Sequence, residues 1–475
     1  MTRSILAVWI FLSWPLWGFA QEGDSVRIFT QKAFFSWVLD NHPVARQARL
    51  LDTQAEALER LARGGFDPKL YADWSQKSFD KKEYFAIGEG GLKIPTWYGV
   101  EAKAAYAISD GLYLNPERNL PDAGQAILGI TAPLGRGLVI DDRRAALQQA
   151  KLMAQANEAE RRALLNDLLL DAAAAYWEWA VAYNQLQVQE QALALTQVRF
   201  DGIVENFILG DKPAIDTLET LILLQTRRAD LIDGRIAYRN AGLRLSNFLW
   251  DEAGNPLEVT GRLRPELLAE LPVQLPALGP QALRQAASLT HPDIRKYQVK
   301  LSQLEVDRKL AVEQFKPRLD VEYNFLGDGT NFLYGANDSG LGNLFSQNYK
   351  WGLSFDFPIL LRKERGKLQL TKLKVLDTEY GLQQKQLEVG NKIEAYYNEL
   401  DNLRQQIAIS ADNVQNYQAL LRAEVQKFDY GESSIFLINT REQKLIDAEL
   451  KLAALRGKFF KNLAGLEWAA GRLGE

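Results

Sequence analysis

The sequence predicts an α+β membrane protein in which four β-strands per chain accompany very long coiled-coil helices, the whole unit being written twice. Three observations predict it: landmarks that recur in order, a helical run without a breaker, and strand-like runs that alternate apolar with charged residues. His42-Pro43 recurs as His291-Pro292, and Phe66-Asp67-Pro68-Lys69-Leu70 as Phe315-Lys316-Pro317-Arg318-Leu319, at one common offset. Pro133 and Pro358 close matching strand-like runs, and Phe207-Ile208-Leu209-Gly210 returns as Phe428-Asp429-Tyr430-Gly431. Landmarks kept in order over most of each half mark internal repeats. The offset shrinks along the chain, so the first copy carries about 24 extra residues before Pro133.

Residues 1–20 read as a signal peptide. Arg3 precedes a short apolar stretch, Ile5 to Ala20, that ends in the small-residue pattern Gly18-Phe19-Ala20. The stretch is too short for a membrane helix, which needs ~20 apolar residues. A first repeat is expected over 21–250, with strands at about 68–133, a long helix at about 138–206 and a return helix at about 213–250. The linker, 251–280, holds Pro256, Pro265, Pro272, Pro276 and Pro280, a density that forbids regular helix. A second repeat follows over 281–475, with strands at about 317–358, a long helix at about 366–430 and a return helix at about 433–470.

Between Leu138 and Asp201 there is neither Gly nor Pro, which as one helix spans roughly 96 Å at ~1.5 Å per residue. A 3-4 seam runs through Leu165, Leu168, Ala172, Ala175, Trp179, Ala182, Leu186, Gln189, Leu193, Thr196 and Phe200, apolar at nine of the 11 positions. Its counterpart is Ile393, Tyr396, Leu400, Leu403, Ile407, Ser410, Val414, Tyr417, Leu421, Glu424 and Phe428, again apolar at nine of 11. A sustained 3.5-residue period means left-handed packing of helix on helix. An ordinary helical bundle shares that feature.

In the strand-like run Tyr349–Phe357, Tyr349, Trp351, Leu353, Phe355 and Phe357 share one face, and Lys350, Ser354 and Asp356 the other. Leu319, Val321, Tyr323 and Phe325 likewise oppose Arg318, Asp320, Glu322 and Asn324. Such alternation fits a half-buried strand of a soluble sheet as well as a lipid-facing barrel strand. The signal peptide and the lack of any later apolar run long enough for a membrane helix favour the barrel. In the first half three runs alternate: Leu70–Trp74, Tyr98–Tyr106 and Gly124–Pro133. Helices on one side of the membrane require an even number of crossings, so two of the three are expected to cross. Four strands per chain cannot close a barrel, and open edges cannot stay in lipid, so the chain must oligomerise.

In this order the elements resemble the TolC-type outer-membrane efflux proteins: signal peptide, His-Pro helix, F-x-P-x-L strand, strand ending in Pro, long helix, F-x-x-G tip and return helix, written twice. The resemblance runs from about residue 29 to 470. It implies a homotrimer with a 12-stranded barrel in the outer membrane and a periplasmic α-barrel of paired helices. Its implied partners are a periplasmic adaptor (membrane-fusion) protein, an inner-membrane transporter and outer-membrane lipid. It also implies that the F-x-x-G turns, with Gly210, Gly431 and Ser433, form the adaptor-docking tip. There the family carries acidic rings six and nine residues after the Gly. Asp216 and Glu219 match these positions in the first copy, with Phe207 as the usual aromatic and Phe428 as its counterpart. The second copy departs from the pattern, with Leu437 and Thr440 at the acidic positions and Ser433 at the family's basic one. Three Asp216 and three Glu219 around a threefold mouth would favour cations. Equally, both acids suit a helix N-terminus just after the Gly.

Composition excludes much other chemistry. Without Cys, and with only 2 His, the chain offers no disulfide, thiol nucleophile or Cys-rich metal site. His42 and His291 both precede Pro at equivalent places, which points to a structural role at a helix start. With 56 basic against 60 acidic residues there is no excess positive charge for nucleic acid. No phosphate loop or metal loop is present, so neither cofactor nor enzymatic activity is expected. Two functions remain: a passive outer-membrane exit channel driven by an inner-membrane pump, in efflux or type I secretion, or a periplasmic coiled-coil scaffold with a soluble β-domain.

Overall fold

The computed structural model describes residues 27–211, 213–259, 261–328 and 348–474. The expected signal peptide lies outside them. The chain begins with a short strand β1 (Arg27–Ile28) and helices α1 (Gln31–Asn41) and α2 (Pro43–Arg63). Four strands follow: β2 (Lys69–Phe79), β3 (Lys82–Pro95), β4 (Glu101–Asp110) and β5 (Gln125–Pro133). Helix α3 (Asp142–Ile208) is 67 residues long and returns through α4 (Ala214–Ser246). After β6 (Leu263–Arg264), which pairs in parallel with β1, come α5 (Pro280–Thr290) and α6 (Pro292–Glu313). Strands β7 (Arg318–Asp328) and β8 (Tyr349–Asp356) precede the 68-residue α7 (Arg362–Asp429) and its return helix α8 (Ile435–Ala469).

Helix α3 is the central axis, packed against α2, α4, α6 and α8, while α7 packs on α6 and α8. Its start is set by Asp141, whose carboxylate accepts the Arg144 backbone N–H at 2.8 Å, an N-cap placed where the dipole favours an acid. Seam residues Leu168, Ala172, Ala175, Trp179, Ala182 and Leu186 on α3 are buried, as are Ile393, Leu400, Leu403, Ile407 and Val414 on α7. Within the main core α1 packs on α3 through Phe34 and Tyr176, stacked at 5.7 Å, and α3 on α8 through Trp177 and Phe460, stacked at 4.7 Å. The Tyr176 hydroxyl lies 2.8 Å from the Phe29 carbonyl and 3.1 Å from the Glu266 carboxylate, and its burial pushes the phenol pKa well up, so it stays a proton donor. The proline-rich stretch is held by Arg456 of α8, which donates to the Leu268 carbonyl at 2.5 Å and that of Ala269 at 3.0 Å.

The main sheet is antiparallel in the order β2-β3-β4-β5-β7-β8. Among the described residues it holds six strands where alternation in the sequence predicts four. All three alternating runs of the first half are strands, and β3 is a fourth that keeps their number even. Two features hide β3. Gly88, Gly90 and Gly91 leave its pattern without side chains, and the β2–β3 turn uses Asp80 and Lys81 at φ +52° and +60° instead of an Asn-Gly or Asp-Gly pair. Register places Leu70, Trp74, Leu92, Ala104, Tyr106, Leu128, Ile130, Tyr323, Phe325, Trp351 and Leu353 on one face. Polar groups dominate the other, including Asp73, Glu89, Lys103, Glu322, Asn324 and Lys350. Among the described residues no helix is long and apolar enough to cross a membrane.

His42 and His291 do the same job at two helix starts. Each precedes a Pro that fixes the first helical residue, and each holds an extended ψ (137° and 127°). The His42 Nδ1 accepts the Val44 N–H, and the His291 Nδ1 the Asp293 N–H, both at 3.2 Å. Acceptance requires a neutral Nδ1, and burial holds both imidazoles below their ordinary pKa of 6.5. Because the folded pKa is the lower one, this contribution is complete above pH 6.5 and shrinks as pH falls from there through the folded values. Thermal melts should show His291→Ala costing about 1 kcal/mol and His291→Asn much less. The His42→Asn/His291→Asn double variant should flatten the stability profile below pH 6.5.

Candidate functional site

The end of the helical hairpins farthest from the sheet is built from two turns of one design. In the first, Gly210 at φ +84° lets the chain leave α3; its N–H donates to the Phe207 carbonyl at 3.0 Å, and the Asp211 N–H reaches the Asn206 carbonyl at 2.9 Å. In the second, Gly431 at φ +79° donates to the Phe428 carbonyl at 3.0 Å, and Glu432 to that of Lys427 at 2.8 Å. This paired closure needs a left-handed residue, which is why both turns carry Gly at that place. Phe207 and Phe428 thus stand in the last turn of each long helix, Phe207 being 43 % exposed.

Side chains make the two turns unlike. Asp216 sits in the first turn of α4, half-buried, where Pro213 leaves the helix without a side-chain cap, so its charge faces the positive end of the dipole. Glu219 lies one turn on, also half-buried, and accepts the Asn439 amide of α8 at 3.4 Å. In the second hairpin Leu437 is partly exposed and the Thr440 hydroxyl turns back to the Phe436 carbonyl of its own helix at 2.8 Å. Ser433 donates to the Glu424 carboxylate at 2.6 Å, and Arg441 stands 3.5 Å from its other oxygen. The Ser433 hydroxyl, more than Arg441, holds the Glu424 carboxyl below the usual carboxylate range.

A cluster that the sequence pattern does not reveal stands just behind Glu219. Arg199 of α3 clasps Glu442 of α8 through two hydrogen bonds, 2.7 and 3.0 Å, and also reaches the Asn439 amide oxygen at 3.1 Å. Glu442 is only 2 % exposed. Asn439 therefore joins Arg199 to Glu219, and one network ties α3, α4 and α8 together near the tip. Nothing in the local pattern of Arg199 or Glu442 signals this, since the partners lie 243 positions apart.

At the other end of α3 a cavity of about 410 Å³ opens where the sheet meets the helices, ringed by Glu101, Arg136, Arg143, Glu313 and Arg318. Glu313 fixes this junction by accepting the backbone N–H groups of Gly137 (3.2 Å) and Val139 (3.3 Å). Among the described residues no group of His, Asp and Glu converges as a metal site would.

Residues 283–472 match the model of the outer membrane efflux protein family. A comparison with curated proteins gives no match. Among solved structures the chain is similar to the CmeC outer membrane channel of Campylobacter jejuni (13 % identity, 93 % of this chain and 86 % of that one, TM-score 0.61). It is also similar to the outer membrane protein VceC of Vibrio cholerae (15 %, 94 % and 97 %, TM-score 0.61) and the open MtrE outer membrane channel of Neisseria gonorrhoeae (16 %, 94 % and 89 %, TM-score 0.62). At such identities the likeness establishes the fold: long helical hairpins carrying an antiparallel sheet.

The Arg199–Glu442 clasp yields a measurable expectation. Arg199→Ala strands a buried carboxylate and should cost about 3–5 kcal/mol in unfolding free energy. In Arg199→Met/Glu442→Met most of that loss should return; simple additivity of the single losses would show that the two residues are not coupled.

Proposed function

We propose that this chain, whose residues 283–472 carry an outer membrane efflux protein domain, is the outer-membrane exit channel of a tripartite efflux or type I secretion system. One observation carries this reading. A sheet that is apolar on one face and polar on the other, with both edges unpaired among the described residues, is fused at one end to helices of 67 and 68 residues. At ~1.5 Å per residue those helices reach about 100 Å, enough to carry a lumen from the outer membrane deep into the periplasm. The conduit is passive: an inner-membrane transporter supplies the energy and a periplasmic adaptor docks on the Gly210 and Gly431 turns.

A homotrimer completes the channel, because lipid leaves no partner for an open strand edge. Residues 21–250 and 281–475 are read as two structural repeats joined by a 251–280 linker, a division supported by the paired His-Pro caps and the two F-x-x-G turns. Trp74, Trp351, Leu353 and Phe355, each more than half exposed, lie on the sheet's apolar face. A soluble β-domain would leave that band in water, which disfavours a periplasmic scaffold. At the inner mouth Asp216 and Glu219 of three copies form the charged ring, with the Arg199–Asn439–Glu442 network holding α3, α4 and α8 closed behind it. Since Leu437 and Thr440 carry no charge, the ring has one acidic layer set per chain, not two.

The reading predicts a heat-modifiable trimer in the outer-membrane fraction; recovery as a soluble periplasmic monomer or dimer would overturn it. In single-channel recordings the wild-type trimer should prefer cations, and Asp216→Asn/Glu219→Gln should abolish that preference. Unchanged selectivity would leave Asp216 with only its helix-dipole role and Glu219 with its bond to Asn439.

A further inference from the structure

On the proposed trimeric channel we infer that the β2–β3 hairpin is part of the membrane wall, so that the barrel closes with 18 strands and not the 12 that the family resemblance implies. Six strands from each of three copies give that number.

The faces of the hairpin are those of the rest of the sheet. On the apolar side Trp74 lies across Gly88, where an added Cβ would stand 2.7 Å from its ring and 3.2 Å from Ile108 of β4. Leu70 pairs with Leu92, and Leu92 with Ala104, so the apolar band runs unbroken from β2 into β4. Leu70 is 86 % and Trp74 62 % exposed, like Trp351 (62 %) and Leu353 (58 %) on β8. Such side chains suit lipid and not water. On the opposite side Tyr71 donates to Glu89 at 2.5 Å and Glu89 pairs with Lys103 at 2.7 Å. One polar network thereby spans β2, β3 and β4, as a water-filled lumen requires and lipid forbids.

Chain direction agrees. The β3–β4 turn lies against the helical body, where Trp97 stacks on Phe66 at 4.1 Å. The hairpin therefore leaves from the helix side, turns at Asp80-Lys81 and returns, as a complete pair of crossings. It also sets the edges. Strand β2 is one rim of the sheet and β8 the other, and they run in opposite directions, so β8 of one copy can continue antiparallel into β2 of the next. Lys69 at the helix-side end of β2 and Asp356 at the helix-side end of β8 both belong to the polar face, opposite charges that suit this junction. The occupant of each edge is thus a second copy of this chain.

Size permits the wider barrel. Eighteen strands at about 4.8 Å spacing and about 40° tilt give a wall roughly 113 Å around. Twelve long helices, four per chain, at about 8–10 Å spacing give roughly 96–120 Å. Strand wall and helix tube therefore meet at similar radii, and the lumen is about half as wide again as with 12 strands at equal tilt.

The natural chain has no Cys, which makes cysteine probes clean. In purified trimer reconstituted in nanodiscs, Leu70→Cys, Ala72→Cys and Trp74→Cys should resist a charged thiosulfonate, while Tyr71→Cys, Asp73→Cys and Ser75→Cys should react. Paired cysteines, one at Lys69, Tyr71 or Asp73 and one at Gly352, Ser354 or Asp356, should give covalent dimers and trimers in one register. Electron cryo-microscopy of the same particles should count 18 strands. A trimer of 12 strands with β2 labelled on both faces would overturn the wider barrel and leave the channel reading intact. A dimer or monomer would overturn the trimeric channel on which it rests.

Discussion

Inside lipid a β-strand has no water to satisfy its backbone, and each unpaired N–H or C=O costs several kcal/mol. On the proposed membrane channel that constraint governs the rest of the molecule. The six-stranded sheet ends in β2 and β8, both long enough to expose a row of such groups. One chain cannot remove its own edges, and on the proposed channel a ring of copies would pair them. The division of the sheet into an apolar and a polar face suits the proposed ring, in which one side would meet lipid and the other water. So does the placing of every long helix at one end of the sheet.

Helices of this length raise a second constraint, because isolated helices gain little from propensity alone and need packing partners. Small residues solve it on α3, where Ala172, Ala173 and Ala180 are fully buried and let neighbouring helices approach closely. Large rings fill the space between, notably Trp177 against Phe460. Near the tip this packing yields to ion pairs and amides, and there the two hairpins diverge. Their backbones turn in the same way, but one presents Asp216 and Glu219, the other Leu437, Thr440 and the Ser433–Glu424 bond. A common turn thus carries unequal chemistry at the tips of the two hairpins.

Much of this was legible in residue order. The 3.5-residue seam is visible because most positions in it meet the same kind of apolar neighbour, so Leu168 and Leu400 announce themselves by spacing alone. The F-x-x-G turns and the His-Pro caps are legible because their hydrogen bonds close within a few residues. Strand β3 was not, because Gly88, Gly90 and Gly91 erase the alternation and Trp74 of the neighbouring strand supplies the missing apolar surface. The Arg199–Glu442 clasp was equally hidden: each residue alone looks like a charge on a solvated helix.

By itself, then, the sequence determined what depends on local geometry: the two hairpin turns, the capped helix starts, the helical seams and the alternation of most strands. Tertiary structure alone decided that the sheet has six strands, that Asn439 bridges Arg199 to Glu219, and that β2 and β8 form the rims. Such choices rest on which distant residues become neighbours. The energy of a buried charge or an unpaired strand edge is set by that neighbour, not by the residue's own place in the chain.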